Sequence, residues 1–135
     1  RWSELPESSK KRLGRMKALL DTNILIDYLN GVDAARLEIS RYDNPLISPI
    51  TWMEVMVGVK TGEEDTIRRF LAGFRQINID PDISELAVTI RRAHNLRPPD
   101  AIIWAIAKRE EAILVSRNHK DFPGDDPSIR MPYSL

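Results

Sequence analysis

The sequence predicts an α/β domain layered around a mostly parallel sheet, and three observations carry that prediction. Short runs rich in Leu, Ile and Val alternate with helical stripes from Lys17 onward. The runs are apolar at consecutive positions, as strands covered on both faces are. Acid-bearing polar residues stand where apolar segments end and helices should begin. In open parallel sheets ligands bind at the carboxyl ends of the strands, near the point where the strand order reverses.

The elements follow in order. Lys17-Ala-Leu-Leu-Asp21 reads as a strand over 17–21, followed by a helix over 23–30 that Gly31 stops. A second helix covers 33–42, and Leu46-Ile-Ser48 is the next strand. Thr51-Trp-Met-Glu54 opens a helix over 51–61 with the spacing of a capping box, and Gly62 ends it. Ile67, Phe70, Leu71 and Phe74 fall at i, i+3, i+4 and i+7 of a helix over 64–74. A strand over 76–79 leads through Pro81 into a helix over 82–95, whose stripe is Ile83, Leu86, Ala87, Ile90 and Ala93. Pro98-Pro99 precede a helix over 100–111. Its segment Ala101-Ile-Ile-Trp-Ala-Ile-Ala107 is apolar on nearly every side and belongs deep against the sheet. The last predicted strand is 112–116.

A chain of 135 residues is one domain with a real core. Its 42% hydrophobic and 30% charged residues are ordinary for a soluble globular protein. No apolar run approaches the roughly 20 residues of a membrane span, and no export signal is present, so no membrane role and a cytoplasmic location are expected. The absence of cysteine excludes disulfides and thiolate zinc sites. Lys+Arg and Asp+Glu balance at 20 each, so no strong net field announces a nucleic-acid partner. Residues 1–15 are polar, without sustained period, and Met16 is a natural place for a start codon. They are set aside as an extension: a tag, an upstream extension or a fragment of a partner. The domain is expected over 16–135.

Each acid has a structural role open to it. Asp21 or Thr22 can cap the first helix, Glu54 can close the capping box, and Asp100 can cap the helix after the prolines. Asp121 lies in a polar turn, and Asp27 reads as a solvated or rim carboxylate. Caps, however, are shared among Ser, Thr, Asn, Asp and Gly. Carboxylates at Asp21, Glu54, Asp100 and Asp121 along one sheet edge exceed what capping requires. Such a set suits Mg²⁺ or Mn²⁺, which prefer oxygen ligands and act on phosphodiesters by activating water and neutralising the leaving oxygen. Thr22, Asn23, Ser116 and Asn118 supply neutral partners around it. Among the basic residues flanking the acids, Arg117 and Lys120 share a loop with Asp121 and are the candidates for contacting a phosphate. His94 suits a helix C-terminus, and His119 a solvent-facing loop.

Together, Leu19-Leu20-Asp21-Thr22-Asn23, Glu54 after Ser48-Pro-Ile-Thr51, Pro99-Asp100-Ala101, and Leu114-Val-Ser-Arg-Asn118-His-Lys-Asp121-Phe122 resemble a PIN domain. More narrowly they resemble the VapC toxins of bacterial toxin–antitoxin pairs, including the FitB-like branch, whose tail the segment Arg130-Met-Pro-Tyr-Ser-Leu135 also resembles. The likeness covers about residues 16–135. It implies a three-layer α/β/α domain with a Mg²⁺- or Mn²⁺-dependent endoribonuclease site, which makes the phosphate for Arg117 and Lys120 that of RNA. It further implies homodimers, and a cognate antitoxin whose C-terminal segment covers the site. Asp21, Glu54 and Asp100 match the family's three most characteristic acids, and Thr22 matches the hydroxyl after the first. Some members carry an acid where this chain has Asn118. FitB-like members use the Asp before Phe, so the fourth role goes to Asp121 with Asn118 as its neighbour. On the residues alone two other readings stay open: a non-catalytic interaction module whose acids are caps, and a DNA-directed nuclease of the same chemistry.

Overall fold

The computed structural model describes residues 16–135, and the extension 1–15 lies outside the described residues. In chain order the elements are β1 (Ala18–Leu20), α1 (Thr22–Leu29), α2 (Asp33–Ser40), β2 (Leu46–Ile47), α3 (Pro49–Val57), α4 (Glu64–Ala72), β3 (Arg75–Gln76), α5 (Pro81–His94), α6 (Pro98–Arg109), β4 (Ile113–Val115) and β5 (Ile129–Arg130). The strands form one sheet in the order β3-β2-β1-β4-β5, and every pairing is parallel. The chain builds outward from β1 through β2 to β3, then crosses back to add β4 and β5 on the other side. The reversal therefore falls between β1 and β4, where a parallel sheet opens a crevice at its carboxyl edge.

The register explains the layers. Leu19 pairs with both Leu46 and Leu114. These three share one face with α5, α6, Phe122 and Ile129. Ala18, Leu20, Ile47 and Val115 point to the other face, against Ile24, Leu25, Tyr42, Val55 and Leu71. Strand side chains alternate with period two, so a run apolar at every position feeds both cores. As expected, α6 is the most deeply packed helix: Ala101, Ile103, Trp104, Ala105, Ile106 and Ala107 are all buried. Each Ile there contributes on the order of 1.5–3 kcal/mol of burial free energy.

The structure departs from the expected elements at two helix starts and two strands. The third helix starts at Pro49 rather than Thr51, because Ser48 is its N-cap and accepts from the Thr51 N–H at 3.0 Å. A capping box at Thr51–Glu54 is therefore not formed. The sixth helix starts at Pro98, with Arg97 as N-cap, so Asp100 sits inside the first turn instead of capping it. Proline at the first helical position costs no hydrogen bond, and both shifts exploit that. Strand β3 is the exposed pair Arg75–Gln76 rather than 76–79, and β5 has no counterpart among the expected strands.

Two buried carboxylates outside the core's apolar pattern pin the C-terminal segment. Glu38 on α2 receives Arg130 through Nε at 2.7 Å and Nη2 at 3.0 Å, and the Tyr42 hydroxyl at 2.8 Å. Asp27 on α1 receives Arg117 through Nε at 2.7 Å and Nη2 at 2.9 Å, and the Tyr133 hydroxyl at 2.8 Å. Asp27, expected as a solvated or rim carboxylate, is only 4% exposed. Burial raises its pKa, but the hydrogen bonds from Arg117 and Tyr133 outweigh that and hold it below the usual carboxylate value.

Candidate active site

The crevice between β1 and β4 is where the chain delivers its first acid. β1 ends at Leu20, and Asp21 turns the chain into α1 as its N-cap, with Oδ1 accepting from the Thr22 N–H at 2.8 Å. The cap and the site are thus the same residue. Across the switch point, Ser116 follows β4 and donates its hydroxyl to Asp21 Oδ2 at 2.7 Å. Asn23 Nδ2 also reaches Asp21 Oδ2 at 3.3 Å, and Asn23 Oδ1 accepts from the Arg117 N–H at 3.2 Å. The sequence-expected partners Asn23 and Ser116 therefore do hold the first acid and close the seam between the two central strands.

Thr22 and Glu54 meet from different helices. The Thr22 hydroxyl donates to Glu54 Oε1 at 2.6 Å, and its oxygen lies 3.1 Å from Thr51 Oγ1. Thr51 in turn is 3.3 Å from Ser48 Oγ. Ser48, Thr51 and Thr22 form a buried file of hydroxyls that ends on the Glu54 carboxylate. Sequence reasoning singled out Thr22 but missed Ser48 and Thr51 as part of this file. The available signal was a hydroxyl at the end of β2 followed by proline, the cap that sets the phase of α3.

Asp100 arrives on the first turn of α6, and its Oδ2 is buried with no hydrogen-bond partner. The Arg97 Nε lies 3.9 Å away, beyond hydrogen-bonding reach, and Arg97 Nη2 is 3.6 Å from Asp121 Oδ2. Asp121 Oδ2 also accepts from Asn118 Nδ2 at 2.9 Å. Asn118 in turn donates its backbone N–H to Ser116 Oγ at 3.0 Å. The two residues weighed for the fourth corner are thus joined, with the carboxylate belonging to Asp121.

The charges of these acids act on one another. Burial pushes the Asp21 carboxyl up to about 6; the bonds from Ser116 and Thr22 oppose this, and the charges of Asp100 and Glu54 reinforce it. Burial also raises Asp100, and the charges of Asp121 and Glu54 push the same way against Arg97. All four acids therefore lie within one electrostatic neighbourhood at the carboxyl edge. Among the described residues, however, no three acidic or histidine side chains close into a ligand group for an ion. Asp21 has both oxygens engaged, Glu54 is tied to Thr22, and Asp121 leans toward Asn118 and Arg97.

That arrangement fits a hard cation that keeps much of its water. The charged ligand atoms the cluster offers are carboxylate oxygens, one of them, Asp100 Oδ2, is buried and unsatisfied, and burial raises the Asp21 carboxyl for want of a compensating charge. Mg²⁺ commonly takes only one or two carboxylates from the protein. Of the basic candidates, Lys120 is exposed on the loop before Asp121. Arg117 is tied to Asp27, as described above, so it stabilises the loop that carries Ser116 and Asn118.

The fold has known relatives. A family model described as PIN domain matches residues 18–123. Ribonuclease VapC10 of Mycobacterium tuberculosis is 35% identical over 113 residues, covering 78% of this chain and 85% of that protein. A toxin–antitoxin complex from Klebsiella pneumoniae superposes with a TM-score of 0.83 at 44% identity, over 87% of this chain and 99% of that one. FitAcB from Neisseria gonorrhoeae shares the fold, with a TM-score of 0.70 at 20% identity over 87% and 99% of the two chains.

Proposed function

The chain belongs to the PIN-domain family, and on that footing we propose that it is the toxin of a toxin–antitoxin pair, a divalent-metal-dependent endoribonuclease that hydrolyses RNA phosphodiester bonds. The observation that carries the reading is the unsatisfied, buried Oδ2 of Asp100 at the carboxyl edge, near enough to Asp21, Glu54 and Asp121 for their charges to act on one another. Asp21 and Asp100 would hold Mg²⁺ or Mn²⁺, with Glu54 and Asp121 beside them. When bound, such an ion supplies a more acidic water and neutralises charge building on the phosphate and leaving oxygen.

The remaining work falls to the chain. Ser116 and the Thr22 N–H fix both oxygens of Asp21, so its carboxylate is preset. Thr22 fixes Glu54 through one oxygen and leaves the other for a water or the ion. A carboxylate so placed can accept the proton of an attacking water. Arg97, which already spans Asp100 and Asp121, and Lys120 can meet the phosphate backbone; Arg117, paired with Asp27, sets the loop that carries Lys120 in place.

The partners follow from the surface. A groove of about 320 Å³, lined by Ile26, Leu29, Val55, Val59 and Ile67, runs up to Glu54. With Asn30, Lys60 and Glu63 also on its wall, this mixed apolar and charged groove would seat the C-terminal segment of a cognate antitoxin, which would then cover the site. We place the working form as a homodimer in the cytoplasm. No helix among the described residues is long and apolar enough to cross a membrane.

The test uses the purified full chain with Mg²⁺ or Mn²⁺ on a structured RNA, with single-stranded DNA in parallel. RNA cleavage is expected, and Asp21→Asn and Asp100→Asn should each lower it by about 100-fold or more, the scale of losing a group that acts only in the transition state. Full activity in EDTA, or in both variants, overturns the reading. Cleavage confined to DNA replaces the substrate and keeps the chemistry.

A further inference from the structure

Because every strand pairing is parallel, the segment leaving β5 emerges at the same edge as the acids. Together with the loop after β4 it encloses a surface cavity of about 460 Å³, lined by Arg117, His119, Met131, Tyr133, Ser134 and Leu135. That volume lies within the roughly 300–1,000 Å³ usual for small-ligand sites. The chemistry described above makes no use of this cavity.

Its walls have a distinct character. Tyr133 is held by its hydroxyl bond to Asp27, so its ring is fixed rather than free to rotate away. Arg117 closes on the same carboxylate, which cancels the Asp27 charge behind the cavity. Beside the engaged Arg117, the side chains that line the space are a phenol ring, an imidazole, a thioether, an aliphatic group and one serine, with no acidic side chain among them. A flat, neutral group with two π-faces suits such a lining better than a phosphate does, since the Arg117 fork is already engaged. The cavity is also close to the chemistry. Arg117 and His119 flank Asn118, whose Nδ2 donates to Asp121.

We propose that this cavity is a subsite for one unstacked nucleobase of a single-stranded RNA, next to the phosphate that is cut; it rests on the ribonuclease reading given above. Recognition of single-stranded RNA works by splaying bases onto aromatic or guanidinium planes and reading their edges. Tyr133 and His119 offer the stacking surfaces, and the Ser134 hydroxyl an edge contact that can favour some bases over others.

Two experiments on the full chain test this. In the first, an Asp100→Asn background stops cleavage, and a short oligoribonucleotide carrying 2-aminopurine is titrated in with Mg²⁺. Its fluorescence should be quenched, and adding His119→Ala or Met131→Ala should weaken binding by about tenfold, within the range for losing one stacked base. In the second, the uninhibited chain cuts a random RNA pool and the cut sites are sequenced. The same two substitutions should raise KM with kcat retained, and should relax base preference at one fixed position beside the cut. Unchanged binding, KM and base preference overturn the subsite even if RNA is cut. Quenching that the substitutions abolish, in a chain that never cuts RNA, keeps the subsite and removes the nuclease reading. Substitutions that weaken antitoxin capture and leave RNA untouched make the cavity a peptide seat, and the proposal falls.

Discussion

Asp21 carries a pH signature that can be read without any substrate. Its carboxyl is raised from an ordinary 3.8 to about 6, chiefly by burial. An acid raised on folding favours the native state most below its unfolded pKa, and that advantage is lost as pH rises through the folded value. Chelator-treated protein should therefore lose stability between about pH 4 and pH 6, on the order of 3 kcal/mol from this residue. Asp21→Asn should flatten that part of the profile in chemical denaturation; an unchanged slope would show that Asp21 is not desolvated as described. Thr22→Val keeps the shape but removes the donor to Glu54, and should cost about 1.5–3 kcal/mol, the range for a hydrogen bond to a charged group. Part of this scale was legible in the sequence: Asp21 follows β1 and Asp100 lies in the first turn of α6, whereas Glu54 sits in the second turn of α3 and Asp121 in the loop after β4. Two things were not. The fate of Asp27 depends on Arg117, which is 90 positions away in the chain. The unsatisfied oxygen of Asp100 depends on where α6 begins. Pairings across such separations leave no local pattern to read.

The elements owe their phase to their caps. Ser48→Ala removes the acceptor that sets the start of α3 and should cost about 1 kcal/mol. The same substitution breaks the hydroxyl file that leads to Glu54, so activity should fall further than stability alone explains. At the C-terminal segment, Arg130→Met leaves the buried Glu38 carboxylate with only Arg41 and the Tyr42 hydroxyl, and a cost of about 1.5–3 kcal/mol is expected. Adding Glu38→Leu with Tyr42→Phe should recover part of that loss, since apolar groups of similar volume can replace a buried ion pair once the Tyr42 hydroxyl is not left without its acceptor. Failure of the triple variant to recover in thermal unfolding would count against this account of the segment's attachment. Helices with a clear stripe, such as α4 and α5, could be placed from sequence within a few residues. Strands of two residues could not: β3 and β5 carry too few positions to show any period, and only their neighbours define them.

For the whole molecule, the sheet order that places the site also ties stability to the ion the site is proposed to bind. Binding to the folded state alone adds about 2.7 kcal/mol at one hundred times the dissociation constant, so Mn²⁺ or Mg²⁺ should raise Tm and Asp100→Asn should abolish the rise. A rise that persists in the variant would locate the ion elsewhere. Two-sided burial of the strands made the layered class visible in the sequence, yet the order β3-β2-β1-β4-β5 was not visible there, because it is set by which crossovers pack rather than by any residue. That order also has a consequence in time. Asp21 and its partner Ser116 are separated by 95 positions, so they are synthesised at opposite ends of the domain. A ribosome that has made Asp21, Thr22, Glu54 and Asp100 has still not made the strand that seats them side by side. A nascent chain halted before β4 should therefore be inert toward RNA, the ribosome's own included. The blade is assembled only when β4 slides in beside β1.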